Sequence, residues 1–166
     1  MVPIKVKMVE ERPPEVFERA WKELTRAGFS EMGEHWHRVM LPRHFEAHAR
    51  ERYGYKPRTK RYAIRKNMAY AKGKAVAASN VDLVFTGLLR QSMQSVGTVR
   101  AFPTRATVSM TGPRYITMRP YQSDHPDLAA EVTKITEDEA QELSNLLNES
   151  VTRRLEALRE PAVTVQ

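Results

Sequence analysis

The stretch LVFTGLLRQSM, Leu83 to Met93, divides the chain into two unlike halves. About thirty residues with little apolar periodicity precede it, and short alternating segments follow it. A Thr86-Gly87 pair sits between two apolar clusters, with Arg90 and Ser92 soon after. The pair lacks the spaced glycines and the lysine of a phosphate-cradling loop. No partner acid or base stands beside it. It therefore reads as a joint: Gly87 makes a turn, while Leu83, Leu88 or Leu89, and Met93 anchor a helical half to a β half.

On the far side of the joint, SVGTVRAF (Ser95 to Phe102) and RATVSMTG (Arg105 to Gly112) alternate with period two. A turn around Pro103-Thr104 makes them a β-hairpin. RYITMRP (Arg114 to Pro120) after Gly112-Pro113 predicts a third strand, and YQSDHPD a polar loop. The last element is a long helix. Thr136 with Glu139 has the spacing of a capping box, and Ile135 is placed to staple against Ala140. Leu143, Leu146, Leu147, Val151, Leu155 and Leu158 make its apolar stripe, Pro161 ends it, and VTVQ is a frayed tail.

On the near side, Pro13 and Pro14 suit a helix start. Val16, Phe17, Ala20, Trp21, Leu24 and Ala27 recur at helical spacing, and Gly28 supplies a stop. Ser30 then caps a second helix carrying Met32, Trp36, Val39 and Met40, which Pro42 kinks or replaces by a new helix holding Phe45, Ala47 and His48. The predicted architecture is α+β in one domain over residues 1–166. Helices occupy about 13–52, a long basic loop or arm about 53–80, an antiparallel β-meander about 81–120, and a helix packed against that meander about 136–159.

The chain's net charge is +7, yet Arg50 to Lys74 holds ten Lys/Arg against the single acid Glu51. That segment nets +9 and leaves −2 for everything else, so any electrostatic account of function goes through it. Arg50, Arg52, Lys56, Arg58, Lys60, Arg61, Arg65, Lys66, Lys72 and Lys74 interleave there with Tyr53, Tyr55, Tyr62 and Tyr70. Cations with exposed aromatic rings suit nucleic acid, through phosphate contacts and base stacking. The same mixture suits an acidic protein surface, and a plain solvated loop is the bland alternative. No recognition-helix pattern, RNA-binding strand motif or zinc finger is present, which argues against sequence-specific DNA reading.

Little else suggests chemistry. With no cysteine, disulfides, thiolate metal sites and cysteine nucleophiles are excluded. HFEAH places His44 and His48 four apart, but Glu46 comes two residues after the first histidine, where a metalloprotease has its glutamate directly after. His35 and His37 would diverge on a helix, Asp82 is a lone acid, and Asp124, His125 and Asp127 share a turn-forming loop. The expectation is a protein that is not an enzyme, with no cofactor and no metal. No apolar run approaches the length of a membrane helix, and the charged N-terminal stretch is unlike a signal peptide, so an intracellular soluble protein is the default.

Leu83, Val84, Thr86, Gly87, Leu89, Arg90 and Ser92, followed by the meander, a Tyr115 strand, a loop with Pro126 and a terminal helix, resemble the tail-completion or neck proteins of long-tailed bacteriophages. The resemblance runs from about Leu83 to Leu158, and RYGYKPRTKRY is similar to a basic run that some members carry before the Thr-Gly segment. One departure is MRPYQSDHP, where the group often has a His- or Gly-rich end to the Tyr strand. The resemblance implies a virion structural protein at the head–tail junction, made in the host cytoplasm and acting by contact rather than by chemistry. It implies a ring, hexameric or dodecameric, with head-completion, portal-proximal or tail-tube proteins as neighbours, and non-specific contact with packaged DNA. Thr86, Gly87, Leu89, Arg90 and Ser92 would be structural motif residues. Minor tail proteins and tail terminators are neighbouring classes.

Overall fold

A computed structural model describes residues 14–95, 97–116 and 126–159. Its first element, α1 (Pro14–His35), runs straight through Gly28 and Ser30, so the predicted break between two helices is absent. Gly28 is small for another reason. A Cβ there would stand 2.8 Å from Leu147 Cδ1 and 3.2 Å from Val151 Cγ2, so the glycine lets the C-terminal helix approach closely. Gly33 does the same for the hairpin, with Val99 Cγ1 only 2.8 Å from a Cβ built on it.

After His35 the helix widens into a π-turn at Trp36–Met40, closed by the Leu41 N–H on the Trp36 carbonyl five residues back. Pro42 explains the widening: it has no N–H to give and its ring crowds the preceding turn. A short α2 (Leu41–Arg43) and tight turns follow, then α3 (Ala49–Tyr53), which Gly54 ends at φ 60°.

The largest correction concerns the basic segment. Residues 53–80 are not a long loop: Lys60–Ala71 form a three-turn helix, α4. Thr59 caps it, its hydroxyl oxygen accepting from the Tyr62 N–H at 3.2 Å. Gly73, at φ 66°, closes it, with Lys74 N on Ala69 O at 2.8 Å and Gly73 N on Tyr70 O at 2.9 Å. Both end signals are in the sequence. What hides the helix is its inward face, where a lysine stands among one tyrosine and two alanines and no large aliphatic takes part.

The joint forms as expected. Gly87 turns at φ 82°, a conformation that any side chain would strain, and α5 (Leu88–Ser95) follows. Leu83, Val84, Leu89 and Met93 are buried, whereas Leu88 faces out. Strands β1 (Gly97–Phe102) and β2 (Arg105–Met110) pair antiparallel from Gly97–Met110 to Phe102–Arg105 around Pro103-Thr104. The predicted third strand does not start: Arg114–Ile116 form a 3-10 turn, Ile116 N bonding the Pro113 carbonyl at 3.0 Å and its side chain entering the core. Pro113 cannot donate to a ladder. Positions 117–120 of that strand, 121–125 of the polar loop, Pro13 and the VTVQ tail lie outside the described residues.

Asp127 caps the short α6 (Leu128–Val132), and α7 (Glu137–Arg159) completes the chain. Its capping box forms in both directions at 3.3 Å, Thr136 N to Glu139 Oε2 and Glu139 N to Thr136 Oγ1. The staple does not, because Ile135 stays 50% exposed. The fold class is α+β, and α1 is its spine, with the hairpin and α7 both packed on it. The core gathers at the π-turn: Trp36, Met40, Leu41, Phe45, Leu89, Met93, Val132 and Leu143.

Candidate interaction surface and the charge cluster beneath it

The ten cations of the basic segment divide into two groups. Arg50, Arg58 and Lys66 turn inward. Arg58 is the hub, its side chain only 6% exposed. It gives Glu131 a bidentate pair at 2.5 and 3.1 Å and lies 3.6 Å from Asp82. Arg50 forks onto Asp82 at 2.6 and 2.7 Å, and that pairing holds its guanidinium above its usual pKa. Lys66, fully buried, donates to the Val81 carbonyl. Burial pushes its ammonium down to about 8, against the pull of Asp82. Lys56 joins through its backbone, whose N–H reaches Glu131 at 3.2 Å.

Next to this cluster stands an aromatic stack. His44 lies flat on Tyr53, ring centroids 3.8 Å apart, and its Nδ1 meets the Tyr55 hydroxyl. Tyr53 donates to Glu139 at 2.7 Å, and Lys134 spans the Tyr53 and Gly54 carbonyls at 3.1 and 3.0 Å, closing the end of α3. Burial lowers the His44 imidazole to about 4 and raises both tyrosine hydroxyls. His44 is neutral at pH 7, and its Nε2 has no partner among the described residues. Tyr53 and Tyr55 are thus core residues rather than platforms for a base. His48 faces outward, 89% exposed, so the HFEAH pair does not converge. His35 bonds Glu142 at 2.9 Å and His37 bonds the Met93 carbonyl at 2.9 Å. Among the described residues no three His, Asp or Glu side chains could hold a metal ion.

Arg52, Lys60, Arg61, Arg65, Lys72 and Lys74 turn outward, and none makes an ion pair among the described residues. On α4 the spacing gathers Arg61, Arg65 and Lys72 on one face with Ile64 and Met68, which are 61% and 56% exposed. The lysine at position 66 is inside, with Tyr62, Ala63 and Ala69 half-buried around it, and the two largest aliphatics of the helix are outside. In the Thr-Gly motif, Leu89 is core and Ser92 donates to the Leu89 carbonyl at 3.0 Å, while Arg90 is exposed. Thr86 offers its hydroxyl oxygen to the Leu88 N–H at 3.5 Å. The motif builds the joint.

Sequence reasoning missed Asp82 and Glu131 as the acids that claim Arg50 and Arg58. Asp82 carried one signal, as the first acid after thirty residues without any. Glu131 carried none, because its partner lies 73 residues away. No helix among the described residues is long and apolar enough to cross a membrane. The chain matches no protein-family model, and no curated protein or solved structure is significantly similar to it.

Proposed function

We propose that this chain is a structural protein of a bacteriophage head–tail joint, a neck or tail-completion protein that works by ring assembly and protein–protein contact. The observation that carries the reading is the placing of large apolar side chains in solvent on separate elements. Phe17 and Trp21 on α1, Ile64 and Met68 on α4, and Phe102 at the hairpin end are each 43% or more exposed. Exposed apolar residues grouped this way suit contact surfaces better than a lone monomer. The Thr86-Gly87-x-Leu89-Arg90-x-Ser92 order, now on a joint that opens a helix before a hairpin, supports the same reading. Its test is a phage deleted for this gene: the expected product is DNA-filled heads without joined tails, rescued by the gene in trans. Normal infectious particles from the deletion would overturn it.

The second reading is a nucleic-acid-binding module. The six exposed cations, which make no ion pair among the described residues, favour it. Ile64 and Met68, set between three of them, suit a protein partner better, since aliphatic side chains gain nothing from phosphates. Fluorescence anisotropy with a labelled duplex and a labelled single strand decides. Binding through these cations weakens steeply as salt rises, and no binding at low salt removes the reading.

A further inference from the structure

We propose that the outer face of α4 is one half of a self-association surface, and that the outer face of α7 on a second copy of the chain occupies it. The inference deepens the assembly reading by naming the contact, and rests on it for the idea that the chain builds oligomers.

Three observations meet here. First, α4 leaves its two large aliphatics uncovered. Ile64 and Met68 are 61% and 56% exposed, while Lys66 is fully buried beside the half-buried Tyr62, Ala63 and Ala69. Second, that side is flanked by Arg61, Arg65, Lys72 and Lys74, and no acid occurs anywhere from Arg52 to Val81. A self-contained surface helix would mix the two signs. Third, the same chain carries the complement elsewhere. Asp127 to Thr152 holds seven acids against Lys134 alone, a net of −6. Glu131, Glu139 and Glu142 of these are taken by internal pairs. Glu137, Asp138 and Glu149 are exposed on α7, and no cation occurs on that helix before Arg153. Ile135, 50% exposed, stands beside their N-terminal end as an aliphatic counterpart to Ile64 and Met68.

The two faces are different patches, so the contact is head-to-tail. Such contacts close into rings when the rotation between copies allows. Charge sets orientation and encounter rate, and the aliphatics supply the dry centre. Nucleic acid on the same face would satisfy the cations yet leave Ile64 and Met68 beside phosphates.

Sedimentation velocity of the full chain over a concentration series, at low and high salt, provides the test. The expected result is self-association at low salt that weakens as salt rises. Reversing Arg61→Glu with Arg65→Glu, or Glu137→Lys with Asp138→Lys, weakens association roughly tenfold or more. Mixing the two reversed proteins restores association through alternating copies, because each contact then joins two intact faces or two reversed ones, and combining all four changes in one chain restores it as well. Glu149→Lys, away from the cap of α7, repeats the acidic arm without touching the helix start. Circular dichroism melts confirm that each variant folds. A wild-type chain that stays monomeric throughout overturns the inference and leaves the neck reading to the gene deletion. Association that the reversals leave unchanged, or that the combined chain fails to recover, overturns it as well. A deletion with no effect on particles would remove the neck reading while the charge-reversal result stood.

Discussion

Arg58 and Arg61 are three residues apart, carry the same charge and belong to the same basic run, yet the fold treats them oppositely. Arg58 is enclosed by Glu131 and Asp82. Arg61 stands in water beside Ile64 and Arg65. The contrast shows that a run of cations is not a functional unit. Acids elsewhere in the chain take some of its members, and what they leave is the exposed positive charge. Here the remainder is the outer side of α4.

The sharpest way to break that contrast is Arg58→Ala. It strands the buried Glu131 and removes one of two cations from Asp82, which costs about 3–5 kcal/mol of stability by urea denaturation. A loss below about 1 kcal/mol would mean that the cluster is solvated and the division into two groups is false.

Next is acid. The His44 imidazole falls from 6.5 unfolded to about 4 folded, so the unfolded chain takes its proton first as pH drops. Its contribution is whole above pH 6.5 and is lost as pH falls from 6.5 to about 4, roughly 3 kcal/mol in all. His44→Phe should flatten that part of a stability–pH curve, and an unchanged slope would place the titration elsewhere.

Smaller and opposite in sign is Lys66→Met. Asp82 and Glu131 already face Arg50 and Arg58, so Lys66 is a third cation with two acids, and burial lowers its ammonium to about 8. Methionine of similar shape removes that penalty but leaves the Val81 carbonyl without its donor. A net gain of roughly 1–2 kcal/mol follows, read as a higher Tm. The least effect belongs to Arg61→Ala with Arg65→Ala, within about 0.5 kcal/mol of wild type for each change. A large loss there would mean that the outer face of α4 is held by the fold itself.

Local signals were legible where they act within a few residues. The hairpin register follows from alternation on both sides of Pro103-Thr104. The start of α7 follows from Thr136 and Glu139, whose bonds span three residues. The break at Gly28 was misread because small size serves two purposes. A glycine that ends a helix and one that admits a neighbouring helix look alike until Leu147 is in place. Helix α4 is hidden because its large aliphatics, Ile64 and Met68, point away from the body, while its inward residues are a lysine, a tyrosine and two alanines. A periodicity search expects the opposite.

The α+β class, the joint at Thr86-Gly87, the hairpin, the capped C-terminal helix and the concentration of positive charge in one segment can all be read from the order of residues. Each is a property of neighbours in the chain: turn geometry, side-chain period, cap spacing, charge count. Which cations are available emerges with folding, since that depends on Asp82 and Glu131 arriving from 32 and 73 residues away. Folding also makes α1 the spine, because close approach at Gly28 and Gly33 exists only once α7 and the hairpin are seated. Burial and pairing across such distances are set by packing, and packing is a relation between elements that no single stretch contains.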